Sequence, residues 1–126
     1  MLRRALLQEI KDARGWLNRT RLIVETSMKL SLHRVLFTVG PIKFRPHIYT
    51  THFAEAALHL TESERISFNA IYHLIDVINE ATDQLQIKTI AVAQSISASK
   101  PSQEETFGDL FGTLDLIYSN TRHAYI

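Results

Sequence analysis

The sequence has 126 residues, which is enough for one ordinary domain and short for two. Its composition, 45% hydrophobic and 21% charged, excludes wholesale disorder. The absence of cysteine excludes disulfides, thiolate metal sites and cysteine nucleophiles, and it favours a cytoplasmic location. Only four glycines and three prolines are present, so few residues are available for turns. We therefore expect residues 1–126 to form a single all-α domain.

Charge is unevenly divided along the chain. Residues 1–45 hold ten Lys and Arg against three Asp and Glu, a net charge of +7, whereas residues 46–126 hold four against ten, a net charge of −6. The basic first part either packs beside the acidic later helices and is neutralised there, or faces an anionic partner such as nucleic acid or acidic lipid. The sequence leaves both interpretations open.

The first predicted helix runs from Leu2 to about Leu32, and a second short helix is predicted over residues 30–37. The long helix is indicated by apolar residues spaced three, four or seven apart: Leu6, Ile10, Ala13, Leu17 and Val24. Gly40 and Pro41 end this region, because proline lacks a backbone donor. Residues 38–49 are predicted to form a loop. We expect the apolar side chains of this loop to pack against the core.

The second half of the chain predicts further helices. A short helix is expected from Thr50 or Thr51 to Leu60. Thr61 and Glu64 have capping-box spacing, which predicts the start of a central helix. Residues 83–100 either continue that helix or form a separate one. A second capping box at residues 102–105 predicts a last helix that ends near residues 120–122. The fold expected is a single bundle of four main helices plus one or two short ones.

The last helix also contains a Gly-x-x-x-Gly spacing, formed by Gly108 and Gly112. In helices this spacing is typical of close approach between neighbours. We expect it to mark tight packing inside the bundle.

No apolar run approaches the ~20 residues needed to span a bilayer, so no transmembrane segment is predicted.

Histidine and carboxylate residues give one hypothesis for a metal site, because both side chains donate lone pairs to divalent ions. The candidate ligands are His59, His73, Asp76 and Glu80. Di-iron bundles use Glu-x-x-His pairs, and that motif is absent from this sequence. The alternative is that these side chains are solvated or bond to neighbouring helices.

The C-terminus suggests a catalytic hypothesis. His123-Ala124-Tyr125 resembles the end of the motif of HEPN ribonucleases, which has four to six residues between an arginine and the histidine. The resemblance implies a helical RNA-cleaving domain in which Arg122, His123 and Tyr125 act. The sequence departs from the motif, because Tyr118 stands where the arginine belongs and Arg122 is adjacent to the histidine. The alternative is a helix end where both cations complement the dipole.

Basic residues of the first part supply a nucleic-acid hypothesis. The candidates are Arg14, Arg19, Arg21, Lys43 and Arg45. Residues 43–49 interleave basic and aromatic side chains, a mixture that binds single strands in some proteins. The same aromatic residues could equally fill the end of the bundle.

The leading prediction is that the protein is a non-enzymatic protein-interaction or regulatory module. We expect it to self-associate and to need no cofactor. Wide apolar stripes on long helices are hard to cover within 126 residues, so some apolar area is expected to remain for a protein partner or a second copy. The alternatives are a nucleic-acid-binding or HEPN-like domain and a helical metalloprotein.

Overall fold

Four helices make up the regular structure of the computed structural model, which describes residues 2–37, 39–98 and 103–123. They are α1 (Leu2–Leu32), α2 (His47–Ala57), α3 (Glu62–Ser97) and α4 (Gln103–His123). No strand occurs within the described ranges, which confirms the predicted all-α bundle. In the same ranges, no helix combines the length and the apolar character that crossing a membrane requires.

Buried side chains recur every seven residues on the three long helices. On α4 the buried positions alternate by three and four: Phe107, Leu110, Leu114, Ile117 and Thr121. The same repeat on α1 gives two series: Leu6, Ala13, Thr20 and Ser27, with Leu17, Val24 and Ser31. On α3 it gives Phe68, Ile75 and Thr82, with Ile78, Leu85 and Val92. Since seven residues fall just short of two full helical turns, this repeat favours left-handed winding of α1, α3 and α4.

The direction of each helix follows from contacts between their ends. Arg3 forms an ion pair with Glu64 at 2.8 Å, so α1 and α3 begin side by side. Arg34, just past the end of α1, forms an ion pair with Glu104 at the start of α4. Helix α4 therefore runs antiparallel to α1 and packs along both α1 and α3. Helix α2 covers α1 near its start.

The chain leaves α1 through a turn that replaces the predicted short helix over residues 30–37. Arg34 adopts a left-handed backbone conformation with φ 59°, and the Val35 N–H donates to the Leu30 carbonyl at 2.9 Å. A side chain in this conformation costs about 1 kcal/mol. The Arg34 guanidinium binds both carboxylate oxygens of Glu104, lowers the pKa of that carboxyl, and so helps to hold the turn.

The bounds of α2 differ from the prediction, and the length of α3 answers a question that the sequence left open. Helix α2 begins at His47, three or four residues before the predicted start at Thr50 or Thr51, and it ends at Ala57, three residues before the predicted end. Helix α3 continues without interruption through residues 83–97, so the alternative of a separate helix there is excluded.

The prediction of close packing at the Gly-x-x-x-Gly spacing is wrong. Gly108 and Gly112 are exposed, and a Cβ added at either position would meet no atom within 4 Å. The reason is the register of α4, because its buried seam passes through Phe107, Leu110 and Leu114. The two glycines fall on the opposite, solvent-facing side.

The predicted capping box at the start of α3 is present and gives a test of local stability. The Glu64 N–H donates to the Thr61 hydroxyl at 3.1 Å, and the Thr61 N–H donates to the Glu64 carboxylate at 3.0 Å. We expect Thr61→Ala to lower the free energy of unfolding by about 1 kcal/mol in urea denaturation. Thr26→Ala, at an exposed position inside α1, is the control and should change little.

The same capping box carries a pH dependence. The hydrogen bond from the Thr61 backbone lowers the pKa of Glu64. A lowered carboxyl pKa stabilises the fold above the unfolded-state pKa, and this contribution is lost as the pH falls through the folded-state value. The difference in stability between wild type and Glu64→Gln, which keeps an acceptor oxygen but removes the titrating carboxylate, should therefore shrink in acid. A difference that grows in acid would contradict this account.

Candidate functional site

An irregular loop, residues 39–46, crosses between α1 and α3 and is bonded to both. The side-chain amide of Asn79 on α3 accepts from the Phe44 N–H at 3.0 Å and donates to the Phe44 carbonyl at 2.7 Å. On α1 the Trp16 indole N–H donates to the Ile42 carbonyl, and the Trp16 and Phe44 rings lie 5.5 Å apart. These bonds satisfy backbone groups as a strand neighbour would, so they set the path of the loop.

An ion pair adds a further link between this loop and α3. The Lys43 ammonium lies 3.0 Å from the Asp83 carboxylate. Both side chains are partly exposed, and such pairs contribute little to stability. The pair does orient the Lys43 side chain, because it holds the ammonium group against α3.

The loop, α1, α3 and α4 together enclose a groove of about 500 Å³. Its apolar lining includes buried Leu85 and Leu114, together with half-buried Ile23. Exposed apolar side chains that line the same groove are Val39, Ile42 and Ile90. We call this groove with these three side chains the loop face. Exposed apolar area gathered in one place is typical of an interaction site.

The two sides of the groove carry opposite charges. Lys43 and Arg45 extend from the loop side. Asp83 lines the α3 side, and Glu80 is exposed three residues earlier on the same helix. The uneven charge noted in the sequence is therefore present here as a basic strip beside an acidic strip.

A buried carboxylate, that of Glu9, joins α1, α2 and α3. It accepts from the backbone N–H groups of Ile48 at 2.6 Å and Tyr49 at 3.1 Å, and from the Tyr72 hydroxyl at 2.6 Å. The two N–H groups belong to the first turn of α2, so Glu9 caps that helix across the interior. With three donors bound, this carboxylate has a structural role.

Two stacked tyrosines surround the Glu9 carboxylate. The rings of Tyr49 and Tyr72 lie 3.7 Å apart and are inclined by 14°. Burial, followed by the hydrogen bond to Glu9, raises the pKa of Tyr72 far above its ordinary value. Burial also raises the pKa of Tyr49, whose hydroxyl donates to Asn69 at 2.8 Å. Both phenols therefore stay protonated over the physiological range and act as hydrogen-bond donors.

The predicted nucleic-acid residues fall on different surfaces. Arg14 and Arg21 lie seven residues apart on one side of α1, whereas Ile23 lines the groove on nearly the opposite side. Lys43 is engaged by Asp83, and Arg45 is exposed at the groove. Arg19 is exposed one turn before Ile23, on the side of α1 that faces the loop. The five cations do not form one continuous basic patch.

The predicted metal ligands are not assembled into a site. His59 lies in the turn before α3, while His73, Asp76 and Glu80 are exposed along α3. Within the part of the chain that the structure describes, no three His, Asp or Glu side chains come together in an arrangement that could hold a metal ion.

The predicted catalytic residues lie at the end of α4. The Arg122 guanidinium lies over the Tyr118 ring, 5.9 Å from its centre, so this cation contacts its own helix. His123 is the last residue of α4, and Tyr125 lies outside the described residues.

The expectation that the apolar side chains of the loop pack on the core is wrong for Val39 and Ile42, which are exposed, whereas Phe44 does pack there. Asn79 and Glu9 were not identified from the sequence as bonding partners of the loop and of α2. One signal could have found Glu9: it is a carboxylate among the apolar residues Leu6, Ile10 and Ala13 on the core side of α1. A charge at such a position needs partners, because an unpaired buried charge is very costly.

The fold and this site define a helical bundle with a clamped loop over an apolar groove. Comparison of the chain with family models, curated proteins and solved structures gives no match.

Proposed function

We propose that this protein is a non-enzymatic protein-interaction module that self-associates through the loop face. The observation that carries the proposal is the position of Ile42, which is 79% exposed and lies at a groove with an apolar lining. Leaving such a side chain in water forgoes roughly 1.5–3 kcal/mol of burial energy. A partner that covers it recovers that energy.

A second copy of the chain fits this surface because the surface carries both a projection and a recess. In a two-fold dimer the same patch of each subunit meets its counterpart, so each projection meets the recess of the other copy. Ile42 can then enter the partner's groove, whose lining includes Leu85 and Leu114. The contact is made twice, once in each direction.

Charge complementarity also favours a second copy. Lys43 and Asp83 are paired with each other within one chain, and beside that pair the loop side of the groove carries exposed Arg45 and the α3 side carries exposed Glu80. A two-fold axis through the groove can bring Arg45 of one copy to Glu80 of the other. Such an arrangement mainly gives orientation and specificity, while the apolar contact supplies the affinity.

The test compares two substitutions by sedimentation velocity at tens of micromolar protein. Ile42→Asp should weaken self-association by at least about 100-fold, because the contact would bury an unpaired carboxylate. Leu58→Asp is the matched control, since Leu58 is 81% exposed but lies in the turn between α2 and α3. That variant should keep the mass of the wild type.

Two results would contradict the proposal. The first is a wild-type mass equal to one chain over the whole concentration range. The second is a dimer that Leu58→Asp disrupts as strongly as Ile42→Asp, which would move the contact away from the loop face.

A further inference from the structure

One side of α1 faces away from the other helices along nearly its whole length. At about 100° of rotation per residue, seven exposed positions share an arc of about 80° on this side. They are Arg4, Leu7, Lys11, Arg14, Leu22, Lys29 and Leu32. We call this set the outer face of α1. It extends over about 42 Å, at 1.5 Å per residue.

Three leucines on the outer face are exposed to an extent unusual for this residue. Leu7, Leu22 and Leu32 are 42%, 58% and 63% exposed, respectively. They are distributed along the helix and do not form one cluster, so each has a charged neighbour. An apolar partner surface would have to meet all three at once along a line.

Four cations alternate with these leucines: Arg4, Lys11, Arg14 and Lys29. One carboxylate, that of Glu25, lies within the same arc. It is half-buried, however, and accepts from the Tyr118 hydroxyl of α4 at 3.3 Å, so it is drawn towards the α4 side. The outer face is therefore strongly positive.

We propose that the outer face of α1 binds flat on the surface of an anionic lipid bilayer. Lysine and arginine side chains would reach the lipid phosphates and carboxylates, each contributing to attraction near the surface. The leucine side chains would enter the boundary between headgroups and acyl chains, as in helices that lie along an interface.

The leucines decide between lipid and nucleic acid as the partner. A nucleic-acid backbone offers phosphates to the cations but presents little surface that rewards burial of an aliphatic side chain. A bilayer offers both negative charge and an apolar layer just below it. The alternation of leucine with lysine and arginine therefore fits the bilayer better.

Membrane binding of this kind goes beyond self-association and does not depend on it. Ile23 lines the groove on the side of α1 that faces the loop, whereas Leu22 and Lys29 point away from the bundle. The two surfaces can thus be occupied together, and each can be removed without the other.

The test is co-sedimentation of the full chain with vesicles. Vesicles of phosphatidylcholine with about 30% phosphatidylserine should bind the protein, and vesicles of phosphatidylcholine alone should bind it at least about tenfold more weakly. Binding should also fall as the salt concentration rises, because exposed charges are screened.

Two pairs of variants separate the charged from the apolar contribution. Lys11→Gln with Lys29→Gln should weaken binding about thirtyfold, whereas Arg65→Gln with Lys88→Gln, which removes the same charge from α3, should leave it nearly unchanged. Leu22→Gln should weaken binding about tenfold, and Leu58→Gln should not. All of these variants should keep the helical circular dichroism of the wild type.

Three outcomes would overturn this proposal: no binding to the anionic vesicles, equal losses from the α1 and α3 charge pairs, or no effect of Leu22→Gln. Tighter binding to duplex DNA than to anionic vesicles at the same salt concentration would also overturn it, since the partner would then be nucleic acid. None of these outcomes affects the Ile42→Asp test of self-association.

Discussion

Replacing Glu9 with alanine is expected to lower the free energy of unfolding by about 3 kcal/mol, because two backbone N–H groups and the Tyr72 hydroxyl lose their acceptor. The loss includes the cap of α2, and the start of that helix should fray. Urea denaturation followed by circular dichroism measures the stability. Hydrogen exchange at Ile48 and Tyr49 measures the fraying.

Conservative variants separate the contributions at this position. Glu9→Gln keeps one acceptor oxygen and should lose less stability than Glu9→Ala. Tyr72→Phe removes one donor and leaves the α2 cap intact, so it should cost about 1 kcal/mol. Glu80→Ala, which removes an exposed carboxylate from the middle of α3, is the control. A surface change that is neutral alters the free energy of unfolding by less than about 0.5 kcal/mol. If the free energies of unfolding of Glu9→Ala and Glu80→Ala differ by less than that, the proposed role of Glu9 is wrong.

Replacing Asn79 with alanine is expected to release the loop over the groove and to lower the free energy of unfolding by about 2 kcal/mol. Two hydrogen bonds to the Phe44 backbone are lost, and each contributes about 1 kcal/mol. Trp16 is the only tryptophan of the sequence, and its indole bonds the neighbouring carbonyl of Ile42. Its fluorescence should therefore shift when the loop moves.

The controls for this prediction use the same residue type. Asn69→Ala, elsewhere on α3, removes a bond to the Tyr49 hydroxyl and should leave the Trp16 fluorescence unchanged. Asn79→Asp keeps an acceptor for the Phe44 N–H but brings a carboxylate oxygen to the Phe44 carbonyl, so most of the loss should remain.

The Asn79 variant also connects the loop to the proposed self-association. If the loop must hold Ile42 beside the groove, Asn79→Ala should weaken the dimer while the helical content stays at the wild-type level. Unchanged Trp16 fluorescence in Asn79→Ala would show that the hydrogen bonds between Asn79 and the Phe44 backbone do not position the loop.

The sequence by itself determined that the chain is all-α, and it located the long helices. Apolar residues three, four and seven apart predicted a helix over the same residues that form α1. Thr61 and Glu64 marked the start of α3. These signals are local. They depend on helical periodicity and on hydrogen bonds between residues close in sequence, so they can be read without knowing the neighbours.

Only the tertiary structure decided where α2 begins, how the loop runs and which apolar residues stay exposed. The start of α2 depends on a carboxylate 39 and 40 residues away in sequence, and the loop path depends on Asn79, 35 residues from Phe44. Ile42 and Leu114 are both apolar, yet one is 79% exposed and the other is buried. That difference is set by which helices pack together, because residue type gives the tendency to be buried and packing determines which side chains are covered.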